Sequence, residues 1–161
     1  MDSVYLETTV IGNIAGRLHP DPKIAARQQV TREWWITAPA RYDLYVSEIT
    51  LEECGDGDPD AAQERLDLVR DIDLVETSPE AEELAELLVS RLAVPASQPR
   101  DALHIAIATV NALQFLVTWN FKHILNPHLQ TKIVNTCREG GYDLPVICTP
   151  QQFLETENDS S

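Results

Sequence analysis

The sequence predicts an α/β domain in which a mostly parallel five-stranded sheet lies between two layers of helices. Short β-prone runs alternate along the chain with longer segments whose apolar residues recur at helical spacing. A nearly unbroken apolar run over residues 101–108 follows a proline and a carboxylate, and it precedes a β-prone run at 115–118. This pattern is typical of a buried helix that leads into a buried strand, so both are expected at the centre of the domain.

Composition limits the classes of protein to which the chain can belong. With 161 residues and 43% hydrophobic content, it has the size of one domain with a substantial core. The formal net charge of −14 argues against a broad basic surface for nucleic acid, because phosphate binding draws most of its affinity from Lys and Arg. A role with nucleic acid would have to be local, metal-mediated or shared with a partner.

Cysteine usage and hydropathy indicate the compartment. Cys54, Cys137 and Cys148 are odd in number and widely spaced, which favours buried free thiols in a reducing cytosol. The N-terminus enters a predicted strand at once, and no apolar run approaches the roughly 18 residues that a membrane span requires. We therefore expect a soluble, cytoplasmic protein with no membrane partner.

The predicted elements follow the chain in order. Strands are expected at residues 3–7, 43–46, 74–75, 115–118 and 145–148. Helical segments are expected near 8–14, over 23–37, from 48 to near 55, over 59–70, from 79 to about 92, over 100–108 and 127–139, and from 149 onward.

Local signals support several of these boundaries. The Ser78-Pro79-Glu80 run has the cap, proline and acid of a helix start, and Gly140-Gly141 is a stop signal. The helix after Ser78 has a predicted apolar stripe of Ala81, Leu84, Ala85, Leu88 and Leu92. The domain is predicted to span residues 1–154, and the polar tail over 155–161 is predicted to be disordered.

Four polar residues are predicted to converge at one edge of the sheet. Glu7 ends the first strand, Glu53 lies on the helix after the second, Asp101 opens the helix before the fourth, and Asn120 follows the fourth. In parallel α/β sheets, functional groups gather at the carboxyl ends of the strands. We call Glu7, Glu53, Asp101 and Asn120 the candidate quartet.

The chemistry of the candidate quartet suggests a divalent metal ion. Two carboxylates about 4 Å apart repel each other by roughly 4 kcal/mol at an effective dielectric constant of about 20, and a cation relieves that repulsion. Carboxylate and amide oxygens suit Mg²⁺ or Mn²⁺, whereas zinc prefers Cys or His ligands at a spacing that this chain lacks. Such a site is well suited to phosphodiester hydrolysis, and Lys122 or Arg100 is a candidate phosphate contact.

Four motifs resemble those of a known family. The runs YLETT at residues 5–9, VSEITLEE at 46–53, DALHIA at 101–106 and TWN at 118–120 are similar, in order and spacing, to the motifs of PIN domains. Among PIN domains, the chain resembles the toxin ribonucleases of bacterial VapBC toxin–antitoxin pairs. The resemblance covers roughly residues 4–154 and implies a PIN-like three-layer α/β/α fold.

The resemblance also implies a function and a set of site residues. It places the family's acidic positions on Glu7, Glu53, Asp101 and Asn120, as catalytic residues and as ligands of Mg²⁺ or Mn²⁺. It implies a metal-dependent endoribonuclease with an RNA substrate, a cognate antitoxin and a homodimeric assembly. The chain departs from the family pattern at Glu7, where Asp is usual, and at Asn120, where Asp is usual and Asn is frequent.

Structural interpretations of the three acidic positions remain open. Asp101 can cap its helix and favour the positive end of the helix dipole, which contributes about 0.3–1 kcal/mol. Glu53 has Glu48 and Glu52 as neighbours, and a charge run on a helix is usually a solvated face. The choice of Glu53 rests on the family resemblance, with Glu48 as the alternative.

The polar residues around these positions also have structural interpretations. His104 is predicted to be a core histidine hydrogen-bonded beside Asp101, and His123 is likewise predicted to be structural. Asn120 can cap the turn after the fourth strand. Thr8 and Thr118 are placed either to hold the carboxylates by hydrogen bonds or to satisfy the strand ends.

Two other classes of protein are alternatives to the ribonuclease. The first is a PIN-fold binding or regulatory module with weakened catalysis, which would bind divalent metal poorly. The second is an aspartyl-phosphate phosphatase on a related sheet, which the absence of an aspartate nucleophile after the first strand disfavours.

Overall fold

The sheet is parallel throughout and has its first strand at the centre. The computed structural model describes residues 1–159. The strands in this range are β1 (Ser3–Leu6), β2 (Asp43–Val46), β3 (Asp73–Leu74), β4 (Phe115–Val117) and β5 (Val146–Cys148). They lie in the order β3-β2-β1-β4-β5, with every neighbouring pair parallel. The predicted fold class is therefore confirmed.

Helices connect the strands and form a layer on each face of the sheet. They are α1 (Thr8–Ile14), α2 (Pro22–Arg41), α3 (Glu48–Cys54), α4 (Pro59–Val69), α5 (Pro79–Ser90), α6 (Pro99–Val110), α7 (Gln130–Glu139) and α8 (Pro150–Asp159). Because side chains of β1 alternate between the two faces, this strand contributes to two cores. Tyr5 packs among side chains of α5, α6 and α7, whereas Val4 and Leu6 pack with Trp34 of α2 and Phe153 of α8.

The central helix is as buried as the sequence predicts. Eight of the twelve residues of α6 are buried, among them Asp101 and His104. Buried ionisable groups require hydrogen-bond partners, so Asp101 and His104 are expected to be bonded to other side chains of the fold.

Some boundaries differ from those predicted because tertiary contacts decide them. Helix α2 continues past residue 37 to Arg41 with Pro39 inside it, and the next residue, Tyr42, packs against Phe153 at a ring-centroid distance of 5.1 Å. Helix α7 begins at Gln130 rather than Pro127, because residues 126–129 first form a turn in which the Leu129 N–H donates to the Asn126 carbonyl at 3.0 Å.

The segment over residues 155–159, for which the sequence predicts a disordered tail, lies in helix α8. Helix α8 continues through these residues to Asp159. The Glu157 carboxylate lies 3.1 Å from the guanidinium of Arg41 and accepts a hydrogen bond from the Tyr42 hydroxyl. These contacts tie the last helix to α2. The final two predicted tail residues, 160–161, lie outside the described residues.

The three cysteines and the hydropathy of the helices can be compared with the predictions from sequence. Cys54, Cys137 and Cys148 are free and buried, as predicted, and burial raises the pKa of each thiol, to about 11, 11 and 12 respectively. Over residues 1–159, no helix combines the length and the apolar character that crossing a membrane requires.

The predicted stripe of α5 is wrong at Leu92. Helix α5 ends at Ser90, and Leu92 has a left-handed φ of 60° and is 69% exposed. The Ala93 N–H donates to the Leu88 carbonyl at 2.9 Å, and the Leu92 N–H donates to the Val89 carbonyl at 3.0 Å. This is a Schellman motif in which Leu92 occupies the position that usually holds glycine.

We expect Leu92→Gly to raise the free energy of unfolding by about 0.5–1 kcal/mol. Glycine removes the left-handed penalty of about 1–2 kcal/mol, and its greater entropy in the unfolded chain offsets part of the gain. Urea denaturation measures the change. Leu92→Ala is the matched control, because it shortens the side chain but keeps the Cβ, and it should stay within about 0.5 kcal/mol of the wild type. A less stable glycine variant would show that the leucine side chain contributes contacts that outweigh the strain.

Candidate active site

The candidate quartet lies around the point where the strand order reverses. Strands β2 and β3 extend the sheet on one side of β1, and β4 and β5 extend it on the other. In open parallel sheets, this switch point between two neighbouring strands is the usual position of a ligand crevice. Glu7 directly follows β1, and Thr118 directly follows β4.

Glu7 is 3% exposed and is held at both of its carboxylate oxygens. Its Oε1 accepts hydrogen bonds from the Thr9 hydroxyl at 2.5 Å and the Thr118 hydroxyl at 2.6 Å. Its Oε2 accepts from the Thr9 backbone N–H at 3.2 Å, so Glu7 is the N-cap of α1.

Asp101 and Asn120 are joined through His123. The Asp101 Oδ2 lies 3.0 Å from His123 Nδ1, and Asp101 is 8% exposed. Asn120 Oδ1 accepts from the His123 backbone N–H at 3.0 Å, and the Asn120 N–H donates to the Thr118 hydroxyl at 2.9 Å. Asn120 therefore caps the turn after β4, as one of its two interpretations predicted. Its side chain is thus hydrogen-bonded to His123, the residue that contacts Asp101.

Glu53 is turned inward from α3 and bonded to two side chains of other elements. Its Oε1 lies 2.5 Å from His104 Nε2 and accepts from the Thr8 hydroxyl at 2.7 Å. Glu48 and Glu52, on the same helix, are exposed. Of the three glutamates between which the sequence left the choice open, Glu53 is the one that contacts other residues of this region.

A buried polar chain supports Glu53 from behind. His104 is fully buried, and its Nδ1 lies 2.6 Å from the Tyr5 hydroxyl, which lies 2.7 Å from the Ser47 hydroxyl. Because a carboxylate only accepts hydrogen bonds, the Nε2 of His104 must carry a proton toward Glu53. His104 is thus a core histidine, as predicted, but its partner is Glu53, whereas His123 is the histidine beside Asp101.

The side chains bonded to Glu53 keep it ionised. Burial acts to raise the pKa of Glu53, but the hydrogen bond and charge of His104 and the Thr8 hydroxyl outweigh it, so the pKa lies below its usual value. Burial raises the pKa of Tyr5, and the charges of Glu7 and Glu53 act in the same direction. Tyr5 therefore remains a neutral hydrogen-bonding partner of His104.

The four predicted residues belong to two hydrogen-bonded networks that meet where Glu7 and Thr8 are neighbours in the chain. Asp101, His123, Asn120, Thr118, Glu7 and Thr9 form the first network. Thr8, Glu53 and His104 form the second. Of the threonines, Thr8 and Thr118 hold carboxylates, as one of their two interpretations proposed. The roles of Thr9 and Tyr5 were missed, although Tyr5 is two residues from Glu7 on the central strand and this spacing offered a signal.

The residues match a divalent cation in donor chemistry but are not gathered around one point. In the part of the chain that the structure describes, no group of three or more His, Cys, Asp or Glu side chains is arranged to hold a metal ion. Carboxylate and amide oxygens are the ligands that Mg²⁺ and Mn²⁺ prefer. Glu53 Oε2 and Asp101 Oδ1 accept no hydrogen bond from any residue in the range 1–159, so each retains a free acceptor.

Cations at the margin of the region are few. Arg100 opens α6 and pairs with Asp56 at 3.3 Å, and its charge helps to lower the pKa of Glu53. Lys122 is exposed and forms no ion pair with the side chains of residues 1–157. Arg100 is therefore the cation whose charge reaches the candidate quartet, at Glu53.

Comparison with known proteins supports the fold. No family model matches the sequence, and no curated protein matches it. Among solved structures, the chain is similar to VapBC2 from Rickettsia felis bound to a DNA fragment from their promoter, with a TM-score of 0.58 and 15% identity. The match covers 91% of this chain and 98% of that chain. It confirms, at the level of the fold, the resemblance to VapC-type PIN domains that the sequence predicted.

Proposed function

We propose that the protein is an endoribonuclease that hydrolyses RNA phosphodiester bonds with the aid of Mg²⁺ or Mn²⁺. The observation that carries this proposal is that Glu7, Asp101 and Asn120 in one hydrogen-bonded network, and Glu53 in a second, meet at the adjacent residues Glu7 and Thr8 beside the switch point of the sheet. The likeness to a VapBC2 chain is consistent with it, because it covers nearly all of both chains.

In this proposal, the chain's own residues set the positions of the acidic groups. Thr9 and Thr118 hold Glu7, Thr8 and His104 hold Glu53, and His123 holds Asp101. Glu7, Glu53, Asp101 and Asn120 would hold the ion through carboxylate and amide oxygens. A bound divalent ion would supply a water nucleophile and offset the charge that develops on the phosphoryl oxygens. Lys122 or Arg100 would contact an RNA phosphate.

The proposal is tested by cleavage of mixed-sequence single-stranded RNA in Mn²⁺. The wild type should produce fragments, and Asp101→Asn should not, because it removes one of the charges that holds the ion. The same variants provide a measurement without substrate. Mn²⁺ at about 100 times its Kd should raise the melting temperature of the wild type by about 5–10 °C and that of Asp101→Asn by much less.

Matched controls separate the proposed ligands from ordinary surface acids. Glu53→Gln should lose most of the Mn²⁺-dependent rise in melting temperature, and Glu48→Gln on the same helix should retain it. Equal shifts in the wild type and Asp101→Asn would place the metal elsewhere. Equal RNA cleavage by these two proteins would contradict the ribonuclease.

The proposal extends to protein partners. An antitoxin is expected to place Arg or Lys next to the candidate quartet, because paired cations satisfy buried carboxylates in the absence of metal. The net charge of −14 also favours a basic partner segment. A homodimer is proposed from the family resemblance, and light scattering of the purified chain measures it.

A PIN-fold binding module is the second candidate function. It is favoured by the tight capping of Glu7, whose two oxygens already accept three hydrogen bonds within the chain, and by the open arrangement of the four residues. If Glu7 serves only α1 and β4, Mn²⁺ should leave the melting temperature unchanged. The metal titration therefore distinguishes the two functions before any substrate is used.

A further inference from the structure

An open groove of about 630 Å³ begins next to Asn120. Trp119 and Phe121 flank Asn120 in sequence and line one wall, together with Leu125 and Pro127. The remainder combines apolar groups with side-chain amides and one acid: Gln130, Ile147, Thr149, Gln151, Gln152 and Glu155. The groove is thus lined by both chain neighbours of Asn120, and it has both apolar walls and hydrogen-bonding groups.

Two aromatic rings and an arginine form a platform at the mouth of this groove. The Arg27 Cζ lies 5.0 Å from the centroid of the Phe121 ring and 5.6 Å from that of Trp119, and the two rings meet edge to face at 6.0 Å. Phe121 is 42% exposed, which is unusual for a large aromatic side chain without a covering partner. Arg27 is exposed and forms no ion pair with any carboxylate of residues 1–157, whose side chains the structure describes.

Trp119 fixes this platform to the quartet. It is 7% exposed, its indole N–H donates to the Thr31 hydroxyl at 2.8 Å, and its backbone N–H donates to the Thr9 hydroxyl at 2.9 Å. The same Thr9 hydroxyl donates to Glu7. Trp119 is therefore a rigid support, and Phe121 is the ring that is open to a ligand.

The charges at the platform indicate the chemistry of that ligand. The protein is strongly acidic, yet Arg27 lies over the exposed Phe121 ring, and Lys122 follows Phe121 in the chain. Neither cation is paired with a carboxylate among the side chains that the structure describes. An exposed aromatic ring can stack on a planar group, and an unpaired cation beside it can contact an anion. A nucleotide offers both, as a planar base and a charged phosphate. Glu155 inside the groove would repel a phosphate, so the groove suits the base and the mouth suits the phosphate.

We propose that this platform and groove bind an unpaired base of single-stranded RNA next to the bond that is cut. The base stacks on Phe121, its edge bonds to the glutamines of the groove, and Arg27 and Lys122 contact the flanking phosphates. A duplex keeps its bases stacked and cannot place one in the groove, so the site selects single strands. This inference rests on the proposed ribonuclease function, because it names the substrate feature that the same site takes.

The test is equilibrium binding of a fluorescein-labelled, mixed-sequence single-stranded RNA to the full chain carrying Asp101→Asn, which prevents cleavage. Adding Phe121→Ala should raise the Kd about tenfold or more, because one stacking contact is lost. Phe121→Tyr should preserve binding, since it retains the ring. Arg27→Gln should weaken binding and reduce its dependence on salt.

Controls on exposed residues away from the groove complete the test. Ile36→Ala lies on the same helix as Arg27 and removes another exposed apolar side chain, and Arg70→Gln removes a cation that is paired with Asp67. Both variants should leave the Kd for single-stranded RNA unchanged. With duplex RNA as the probe, binding should be weak for every variant. Melting temperatures equal to that of the parent show that the variants are folded.

The outcomes distinguish this inference from the proposed function. If Phe121→Ala and Phe121→Tyr both bind like the parent, the inference is overturned and the groove is left to a protein partner, even if the wild type cleaves RNA. If Phe121→Ala loses binding and Phe121→Tyr retains it while the wild type does not cleave, the RNA site stands and the ribonuclease fails. Equal binding of duplex and single strands also overturns the inference.

Discussion

Replacing Glu7 with Asp is expected to reduce RNA cleavage by about a hundredfold, because small misplacements of a catalytic group have effects of this size. Glu7 reaches the Thr118 hydroxyl at 2.6 Å from a strand end that Thr9 and the start of α1 hold in place. Aspartate is shorter by one methylene, so its carboxylate would draw back from Thr118. Aspartate is also a good N-cap, so α1 should still form.

Two companion variants show whether length or charge is responsible. Glu7→Gln keeps the length and removes the charge, and it should lose metal-dependent stabilisation as well as cleavage. Glu7→Asp combined with Asn120→Asp restores the residues that are usual in the resembled family. Should the wild type be as inactive as Asp101→Asn while Glu7→Asp cleaves, the site is a decayed one and the binding module becomes the better description. Initial rates in Mn²⁺ measure all of these differences.

His104→Ala is expected to lower the free energy of unfolding by about 3–4 kcal/mol. The substitution leaves a cavity beside Tyr5, and large-to-small changes in a core generally cost about 2–5 kcal/mol. It also deprives Glu53 and the Tyr5 hydroxyl of a shared partner, and an unmet buried polar group costs about 1–3 kcal/mol. Ser47 and Thr8 remain as partners, so the total should stay near the lower end of the combined range. Denaturant unfolding without metal measures the change.

A double-mutant cycle with Tyr5→Phe tests the origin of this effect. If His104 and Tyr5 act as one polar chain, the double variant should be more stable than the sum of the two single effects predicts, by about 1 kcal/mol or more. Additive effects would show that the histidine contributes only its volume. Thr109→Val is a useful reference. The buried Thr109 hydroxyl donates to the Ile105 carbonyl within α6 and is not bonded to His104, Tyr5 or Glu53.

The periodicity of the sequence predicted the architecture because burial on both faces of the sheet leaves apolar runs that alternate with helical stripes. The extents of some elements depended on distant contacts instead. Helix α8 reaches Asp159 where Glu157 meets Arg41, more than a hundred residues earlier in the chain. Local polarity alone indicated a disordered tail there. Leu92 was placed on the stripe because its spacing is helical, whereas a left-handed turn removes it from the helix.

The position of the candidate site was more predictable than its internal contacts. The rule that strand ends meet at one edge required only the order of strands and helices. In the structure, Glu7, Asp101 and Asn120 share one hydrogen-bonded network, and the network of Glu53 meets it at Thr8, the neighbour of Glu7 in the chain. The exchange of histidine partners was not predictable. Asp101 and His104 share a face of α6, but the packing of α3 and of the loop after β4 determines which acid each histidine reaches.

The long sequence separations within the candidate site have a consequence for folding. The bonds from Thr8 to Glu53, from His104 to Glu53 and from Thr118 to Glu7 join residues 45, 51 and 111 positions apart. Contacts of this kind close large loops and form slowly. In a nascent chain whose β4 has not yet emerged from the ribosome, Glu7 therefore lacks its partner Thr118. The site is assembled only when most of the domain has been synthesised.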